Sequence, residues 1–174
     1  QSQAVECFYT RLRHQGIILG PDGQKMSKSK GNVIDPDELV KNFGVDAVRM
    51  YLCFMGEYSQ GGPWNSTGIM GVKRFLERVW KLHFHLEARL LSGSLASKSI
   101  ESLLHITIKK VSEDIENLKF NTAISALMIL LNEMEKKEKL PVNHYALLVM
   151  LISHFDHQIA EELCKNIGNK KRND

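Results

Sequence analysis

Apolar residues recur at helical spacing through the whole second part of the chain, and this pattern limits the possible fold more than any other feature. From about residue 68 to residue 91 they repeat every three or four positions, which places them on one face of a helix. Four further segments show the same spacing. The apolar positions of all five segments, in chain order, are Val72, Phe75, Leu76, Val79, Leu82, Leu86 and Leu90; Ile100, Leu103, Leu104, Ile108, Val111 and Ile115; Ile124, Leu127, Met128, Leu131 and Met134; Leu148, Val149, Leu151 and Ile152; and Ile159, Ala160, Leu163 and Ile167. Five amphipathic helices joined by short loops, the last ending at Gly168, predict a helical bundle.

The stretch from residue 56 to residue 67 is rich in glycine and interrupts the helical pattern. Because Gly61 and Pro63 cannot continue a helix, we place a domain boundary in this stretch. The predicted domains are residues 1–66 and residues 67–174.

The start of the first domain predicts a short β-hairpin. Gly16–Leu19 is a brief apolar run of the kind found in strands. Gly20–Gly23 has proline second and glycine fourth, which a type I turn prefers, and Lys25–Met26 would return beside the strand. Ser27–Asn32 is too polar and too rich in glycine for a helix or strand, so we predict a loop.

Two helices follow the loop in the first domain. Asp35 can cap the first helix, Pro36 suits its first position, and Glu38 suits a capping box. This helix is predicted to end near Gly44, and the second to run over residues 46–56. The second helix places these apolar residues along one side: Val48, Tyr51, Leu52 and Met55. The predicted fold class is therefore mainly α.

Composition excludes several classes of protein. No uncharged apolar run is long enough to span a membrane, and residues 1–16 lack the apolar stretch of a signal peptide. Three widely spaced cysteines argue against a disulfide framework and favour a reducing compartment, so we expect the cytoplasm. The histidine pairs at 83 and 85 and at 154 and 157 are accompanied by no cysteine or acidic pair at ligand spacing, so no metal site is expected.

The net charge of +3 is small, but it is unevenly distributed. Up to residue 66 the chain has seven Lys or Arg and seven Asp or Glu, whereas sixteen basic and thirteen acidic residues follow. The basic excess lies in the predicted bundle, which is weak evidence for an RNA partner.

Three lysines lie within a stretch of six residues that runs into the predicted loop: Lys25, Lys28 and Lys30. Serine and glycine neighbours allow such a loop to approach a polyphosphate closely, and lysine places point charges on phosphate oxygens. Nucleotidyl transfer needs such charges as the bond to pyrophosphate breaks. The alternative is a solvated basic turn between a strand and a helix.

The string Lys25-Met-Ser-Lys-Ser29, followed by Lys-Gly-Asn-Val-Ile-Asp-Pro36, resembles the second signature of the class I aminoacyl-tRNA synthetases. The resemblance implies that residues 1–66 are the end of a Rossmann-type catalytic domain. It implies ATP and Mg²⁺ as cofactors, with Lys28 stabilising the transition state of adenylation and Lys25 supporting it. Met26 and Ser27 would lie on the adenosine side, and Ser29 would complete the ATP-binding set.

Within this family, two segments are similar to the leucyl enzymes: Ala47-Val-Arg-Met-Tyr-Leu-Cys-Phe-Met-Gly56 and Gly71-Val-Lys-Arg-Phe-Leu-Glu-Arg-Val-Trp-Lys-Leu82. The isoleucyl and valyl enzymes share the lysine-rich signature and are the alternative within the family. The resemblance runs from about Phe8 to Gly168. It implies leucine and tRNA(Leu) as substrates, a bundle of the anticodon-binding type, and a monomer.

Four basic side chains form a stripe opposite the apolar face of the first bundle helix: Arg74, Arg78, Lys81 and His85. A solvated charged face is the ordinary interpretation of such a stripe. Because the bundle of this family lies along tRNA, the resemblance favours an RNA-facing surface, and we predict that these four residues bind tRNA.

The chain also departs from the family. Between residues 154 and 164 it lacks two prolines, a histidine and a tryptophan that the family usually has, although Asp156 can still cap the last helix. No His-x-Gly-His string, the first class I signature, is present, and residue 1 is not Met. We therefore expect a fragment that is inactive alone. The rival hypothesis is a non-catalytic module that binds tRNA or a partner protein.

Overall fold

The structure, a computed structural model, describes residues 12–89, 98–138 and 140–170, with side chains described for these ranges except at 85–89, 98 and 168–170. The first part of the chain contributes strand β1 (Ile18–Leu19), helix α1 (Pro36–Phe43), helix α2 (Val45–Phe54) and strand β2 (Gly62–Pro63). Helices α3 (Gly68–Arg89), α4 (Lys98–Glu116), α5 (Phe120–Glu135), α6 (Val142–Ile152) and α7 (His157–Lys170) follow. The mainly α fold and the five helices of the predicted bundle are confirmed.

Local sequence signals explain most helix ends. The Asp35 side chain accepts a hydrogen bond from the Asp37 backbone N–H at 2.9 Å, as the predicted cap requires. The Gly44 N–H closes α1 on the Val40 carbonyl at 2.9 Å, and Gly44 also precedes the first residue of α2. The helix α2 begins and ends slightly earlier than predicted because Gly44, rather than Val45, makes the turn between the two helices.

The end of α7 and the form of the polar loop differ from the prediction. Helix α7 continues through Gly168 to Lys170, since a single glycine lowers helix stability by only about 1 kcal/mol and need not end a helix. The loop predicted over Ser27–Asn32 contains one turn of 3₁₀-helix at Lys28–Lys30. Short 3₁₀ turns need no apolar face, so helical periodicity gives no sign of them.

The strand β1 pairs in parallel with β2, with Ile18 opposite Gly62 and Leu19 opposite Pro63. The Trp64 N–H donates to the Leu19 carbonyl at 2.9 Å and extends the pairing. The predicted β-hairpin is not formed as a pair of strands: a single antiparallel bridge joins Leu19 to Lys25, because β1 pairs in parallel with β2 instead. The stretch chosen as a domain boundary thus supplies the partner strand β2. The sequence carries no indication of this strand, because glycine and proline are rare in strands.

One continuous apolar core joins α2 to the bundle, and α2 contacts α3, α5 and α7. Met50 of α2 is fully buried, whereas Leu52, predicted to be buried, is 40% exposed. The buried face of α2 is therefore rotated from the predicted one. Within the bundle, the buried Tyr145 hydroxyl donates to the Val79 carbonyl at 3.0 Å and fastens α6 to α3.

Two buried carboxyl groups meet where α2 and α7 begin. The Asp156 Oδ1 accepts a hydrogen bond from the Ile159 N–H at 3.1 Å, which confirms the predicted cap of α7. No N–H group or hydroxyl in the described residues donates to the buried oxygens Asp156 Oδ2 and Asp46 Oδ1, and the two carboxyl groups can hydrogen-bond to each other only when one of them is protonated. The N-termini of two helices and one carboxylate from each thus form a polar centre inside the core.

None of the helices in the described ranges combines the length and apolar character needed to cross a membrane.

Candidate functional site

The lysine-rich loop leaves the sheet at Leu19 and returns to α1 at Asp35, and its backbone is folded by local hydrogen bonds. The Gly23 N–H donates to the Gly20 carbonyl at 2.9 Å and closes the predicted turn. The Lys30 N–H donates to the Ser27 carbonyl at 3.0 Å and forms the 3₁₀ turn. Gly31 then ends that turn with φ +66°, a left-handed conformation that glycine adopts without steric cost.

The Asn32 side chain connects three parts of the loop. Its Oδ1 accepts a hydrogen bond from the Ser27 N–H at 2.8 Å. Its Nδ2 donates to both carboxylate oxygens of Asp22, at 3.0 and 3.2 Å, and lies 3.4 Å from the Lys25 carbonyl oxygen. One amide side chain therefore fixes the turn, the returning segment and the start of the 3₁₀ turn relative to one another.

Asp22 is the acceptor at the centre of this arrangement. Besides Asn32, the Gln24 N–H donates to Asp22 Oδ1 at 3.0 Å. The hydrogen bond from Gln24, together with that from Asn32, holds the pKa of Asp22 below its usual value. Gly20 is buried beneath the pair, and a Cβ there would lie 2.7 Å from Asp22 Oδ1 and 3.0 Å from Asn32 Nδ2. Only glycine leaves room for this contact.

The residues predicted to contact the nucleotide all lie on this one loop. Lys25, Lys28 and Ser29 are exposed, whereas Met26 and Ser27 are half-buried, and Met26 packs against the apolar core. The hydroxyls of Ser27 and Ser29 are hydrogen-bonded at 2.8 Å. With respect to the described residues, the ammonium groups of Lys25 and Lys28 have no hydrogen-bond or ion-pair partner. These two charges are available to an anion.

The third lysine is held within the loop. Lys30 Nζ donates to the Gln24 side-chain oxygen at 2.7 Å, across the base of the loop. The amide oxygen carries no net charge and so does not neutralise the charge of Lys30, which adds to the positive potential of the loop. The arrangement can surround a polyphosphate with positive charge at close range.

The described residues do not fit the Mg²⁺ that the family resemblance implies. Magnesium prefers carboxylate and water oxygens, and the carboxylate beside the loop, Asp22, already accepts hydrogen bonds from two residues. Over residues 12–89, 98–138 and 140–170, no three His, Cys, Asp or Glu side chains are grouped so that they could hold a metal ion. No magnesium ligand is assigned to this chain.

The predicted basic stripe lies on α3, but its members differ in their contacts. Arg74 Nε donates to the Met70 carbonyl of its own helix at 3.2 Å. Lys81 is exposed and has no polar partner within the described part of the chain. The side chain of His85 lies outside the described residues.

The fourth member, Arg78, is already paired. It donates to both carboxylate oxygens of Glu135 and, at 2.6 Å, to Asn132 Oδ1, so it bridges α3 to α5. The hydrogen bond to Glu135 raises the pKa of Arg78 further. The prediction treated this arginine as free because pairing across two helices leaves no signal in either helical pattern.

The residues that sequence reasoning missed are Gly20, Asp22 and Asn32. The turn pattern explains an aspartate at position 22 without reference to a distant partner, and Asn32 follows a glycine at a place where any small polar residue would be expected. Asp22 and Asn32 are ten positions apart, a spacing that is not diagnostic of contact in a loop. Only the folded loop shows that the two side chains meet.

Comparisons with known proteins agree with this description. The family described as tRNA synthetases class I (I, L, M and V) matches residues 4–64. A leucine–tRNA ligase from Bdellovibrio bacteriovorus is 47% identical over 163 residues, which are 93% of this chain and 20% of the relative. Another, from Pelodictyon phaeoclathratiforme, is 44% identical over 92% of this chain and 20% of its own length. The chain thus spans about a fifth of the length of these curated relatives.

Solved structures give the same result. The leucyl enzyme of Agrobacterium radiobacter K84, in a ternary complex described as LeuRS-tRNA-LeuAMS, superposes with a TM-score of 0.78 at 33% identity, over 88% of this chain and 22% of that one. A methionyl-tRNA synthetase of Mycobacterium tuberculosis, bound to methionyl-adenylate, has a TM-score of 0.66 at 18% identity, over 86% of this chain and 36% of its own. The second similarity concerns the fold alone.

Proposed function

Because this chain belongs to the class I aminoacyl-tRNA synthetases, as a segment of the leucine–tRNA ligase type, we propose that the full-length protein attaches leucine to tRNA(Leu) at the expense of ATP. In the first step, a leucine carboxylate oxygen attacks the α-phosphorus of ATP and the bond to the β-phosphate oxygen breaks. Pyrophosphate leaves, and leucyl-adenylate remains. In the second step, a ribose hydroxyl of the tRNA attacks the leucyl carbonyl and AMP leaves.

The observation that carries this proposal is the position of two ammonium groups, those of Lys25 and Lys28, on a folded, exposed loop where neither has a polar partner among the described residues. Lys28 follows directly after Ser27, whose backbone is fixed by Asn32, and Lys25 lies on the returning segment of the same loop. Negative charge moves onto the pyrophosphate oxygens as the bond breaks. Lys28 would stabilise that charge, with support from Lys25, while Met26, Ser27 and Ser29 would line the nucleotide side.

The second part of the proposal concerns RNA. We assign the surface formed by Arg74, Arg78, Lys81 and His85 to contacts with the tRNA backbone, which basic side chains recognise without reading sequence. Support comes from the exposure of Arg74 and Lys81 on α3. Arg78 would have to exchange its contact with Glu135 for a phosphate.

For the full-length protein we further propose the cytoplasm and a monomeric state. The support for the cytoplasm is the wide spacing of the three cysteines and the free thiols of Cys53 and Cys164, which suit a reducing compartment. The monomeric state rests on the family resemblance alone.

The proposed role of Lys28 is tested by Lys28→Ala in the full-length protein. An interaction made mainly in the transition state lowers kcat without weakening ground-state binding, so leucine-dependent ATP–pyrophosphate exchange should fall about 10²- to 10³-fold with little change in the KM for leucine. The control is Lys41→Ala, which removes an exposed lysine from α1. Equal exchange rates for the Lys28 and Lys41 variants would contradict the proposal.

A further inference from the structure

The lysine-rich loop is not held in its conformation by an apolar core of its own. Most of its residues between Pro21 and Gly31 are exposed, and a segment with few buried contacts has little to hold it in one conformation. Its order must therefore come from polar contacts within the loop itself. The Asn32 side chain supplies more of these contacts than any other side chain described in the loop.

We propose that Asp22 and Asn32 form a clasp that holds the loop in the conformation that places Lys28 on the departing pyrophosphate, an inference that rests on the function proposed above. Both are positioning residues, because each acts on the substrate only through the backbone of the loop. Asn32 fixes the Ser27 N–H, and Lys28 is the next residue in the chain. Any rotation of the Ser27 peptide would move the Lys28 side chain.

Gly20 is an independent sign that the clasp is built into the fold. It is buried directly beneath the two side chains, and the space that a Cβ would need is taken by Asp22 Oδ1 and Asn32 Nδ2. A Cβ here would have to displace these two side-chain ends, and it would also lie 3.1 Å from the Asn32 carbonyl oxygen. Replacing Gly20 by alanine should push the clasp open without removing any polar group.

The clasp can be tested by swapping its two side chains, so that the amide stands at position 22 and the carboxylate at position 32. Asn32→Asp keeps the oxygen that accepts the Ser27 N–H, but it replaces the donor to Asp22 by a second carboxylate and makes the pair repulsive. Asp22→Asn keeps an acceptor oxygen for Asn32 and for the Gln24 N–H. The double variant Asp22→Asn/Asn32→Asp restores one donor facing one acceptor, in the reverse direction.

The test measures leucine-dependent pyrophosphate exchange by the full-length protein carrying each change. A displacement of about 1 Å in a positioned group can cost about a hundredfold, so Asn32→Ala, Asn32→Asp and Gly20→Ala should each lower kcat by about 10- to 100-fold, with the KM for leucine unchanged. Asp22→Asn should stay within about threefold of the wild type, and the double variant should recover most of the activity that Asn32→Asp loses. Gly71→Ala is the matched glycine control, since no described atom beyond the backbone of its own helix and its chain neighbours lies within 4 Å of the Cβ that it would add.

Amide hydrogen exchange on the 174-residue chain supplies a readout independent of activity. In Asn32→Ala, the amides of Ser27 to Gly31 should exchange faster while those of α5 keep their wild-type rates. Unchanged exchange in the loop would overturn the clasp. The clasp would also be overturned if the double variant Asp22→Asn/Asn32→Asp were no faster in pyrophosphate exchange than Asn32→Asp alone, because reciprocal pairing should restore activity.

Lys28→Ala, measured in parallel, separates the two proposals. A wild-type rate for Lys28→Ala would contradict the role of the loop in adenylation, whatever the clasp does. A large loss in Lys28→Ala beside a wild-type rate in Asn32→Ala would leave the proposed function standing and overturn the clasp alone.

Discussion

Asp156 shows how one residue can have both a predictable and an unpredictable role. Its cap of α7 follows from its place before an apolar run, and the structure contains that hydrogen bond. The sequence carries no sign that Asp46, 110 positions earlier, would face it inside the core. Burial, followed by repulsion from the Asp46 carboxylate, raises the pKa of Asp156 to about 6, although the Ile159 N–H and Arg49 act in the opposite direction.

This pKa makes the stability of the fold depend on pH. Because the folded-state pKa lies above the unfolded value of 3.8, the folded chain binds the proton more tightly and protonation favours folding. The stabilisation is complete below about pH 4 and is lost as the pH rises through about 6. Over that interval we expect this group to lower the free energy of unfolding by about 1–3 kcal/mol, as measured by urea denaturation at a series of pH values.

The matched variant is Asp156→Asn, which keeps a capping oxygen and cannot ionise. It should be more stable than the wild type at pH 7 and should flatten the dependence between pH 4 and pH 7. Asp37→Asn, at an exposed position in α1, controls for the loss of one carboxylate. If the free energy of unfolding varies with pH in the same way in Asp156→Asn and in the wild type, the Asp46–Asp156 pair does not cause the pH dependence.

At the scale of the elements, the ion pair between Arg78 of α3 and Glu135 of α5 reduces the charge that the basic stripe can offer to RNA. Both side chains are partly exposed, at 40% and 34%, so the pair contributes only about 0–1 kcal/mol to stability. Its larger effect is to neutralise one of the cations assigned to RNA. Among the described side chains of the stripe, Arg74 and Lys81 are the ones without an ion pair, and their charges remain available to phosphates.

The salt dependence of RNA binding by the chain measures these charges. Each phosphate neutralised releases condensed counterions, so removing Arg74, Arg78 and Lys81 together should flatten the slope of log affinity against log salt by roughly two. Circular dichroism must show that the helices of the triple alanine variant remain folded. An unchanged slope would mean that the stripe is only a solvated charged face.

The ion pair itself is tested by Glu135→Gln, which releases Arg78 from its carboxylate partner. We expect the salt slope to steepen by about one, because a further cation becomes available to phosphate. Glu133→Gln is the matched control: it removes the same charge from the same helix, but its ion pair is with Lys136. If both variants change the slope equally, the effect is one of net charge and Arg78 has no separate role.

Elements that depend on local interactions could be predicted from the sequence, and elements that depend on contacts between distant residues could not. The bundle helices could be predicted because their apolar spacing is a local property, and Asp35 and Pro36 mark the start of α1 for the same reason. The strand β2 could not, because Gly62 and Pro63 become a strand only by pairing with β1. The candidate site divides in the same way: its lysines are visible in a short motif, and the Asp22–Asn32 clasp is not.

At the scale of the whole molecule, the apolar core is shared by the two parts into which the sequence divides. Tyr51 of α2 packs edge-on against Trp64 at 5.0 Å, and its hydroxyl donates to the Asn65 carbonyl at 2.7 Å, just before α3 begins. Met50 is buried in the same cluster as the bundle residues. The division at residues 66 and 67 remains a prediction about domains, but the core argues that the two sides depend on each other for stability.

The shared core predicts that the chain unfolds in one cooperative transition. Far-ultraviolet circular dichroism, which reports mainly on the bundle helices, and fluorescence of the buried Trp64 at the junction should give coincident denaturation curves. Because Trp80 also fluoresces, the comparison is best made in a Trp80→Phe variant. Separate midpoints for the two probes would instead identify two independently folding units.

The parallel pairing of β1 with β2 has a consequence for the order in which the loop can form during translation. The ribosome makes Ile18 and Leu19 first, and the lysine-rich loop, α1 and α2 must all follow before Gly62, Pro63 and Trp64 are available to pair with them. A chain emerges from its N-terminal end and its domains fold as units, so local turns can form early while a distant strand pair must wait. A nascent chain arrested before Gly62 would therefore carry the whole signature sequence on a loop that still lacks the pairing of β1 with β2.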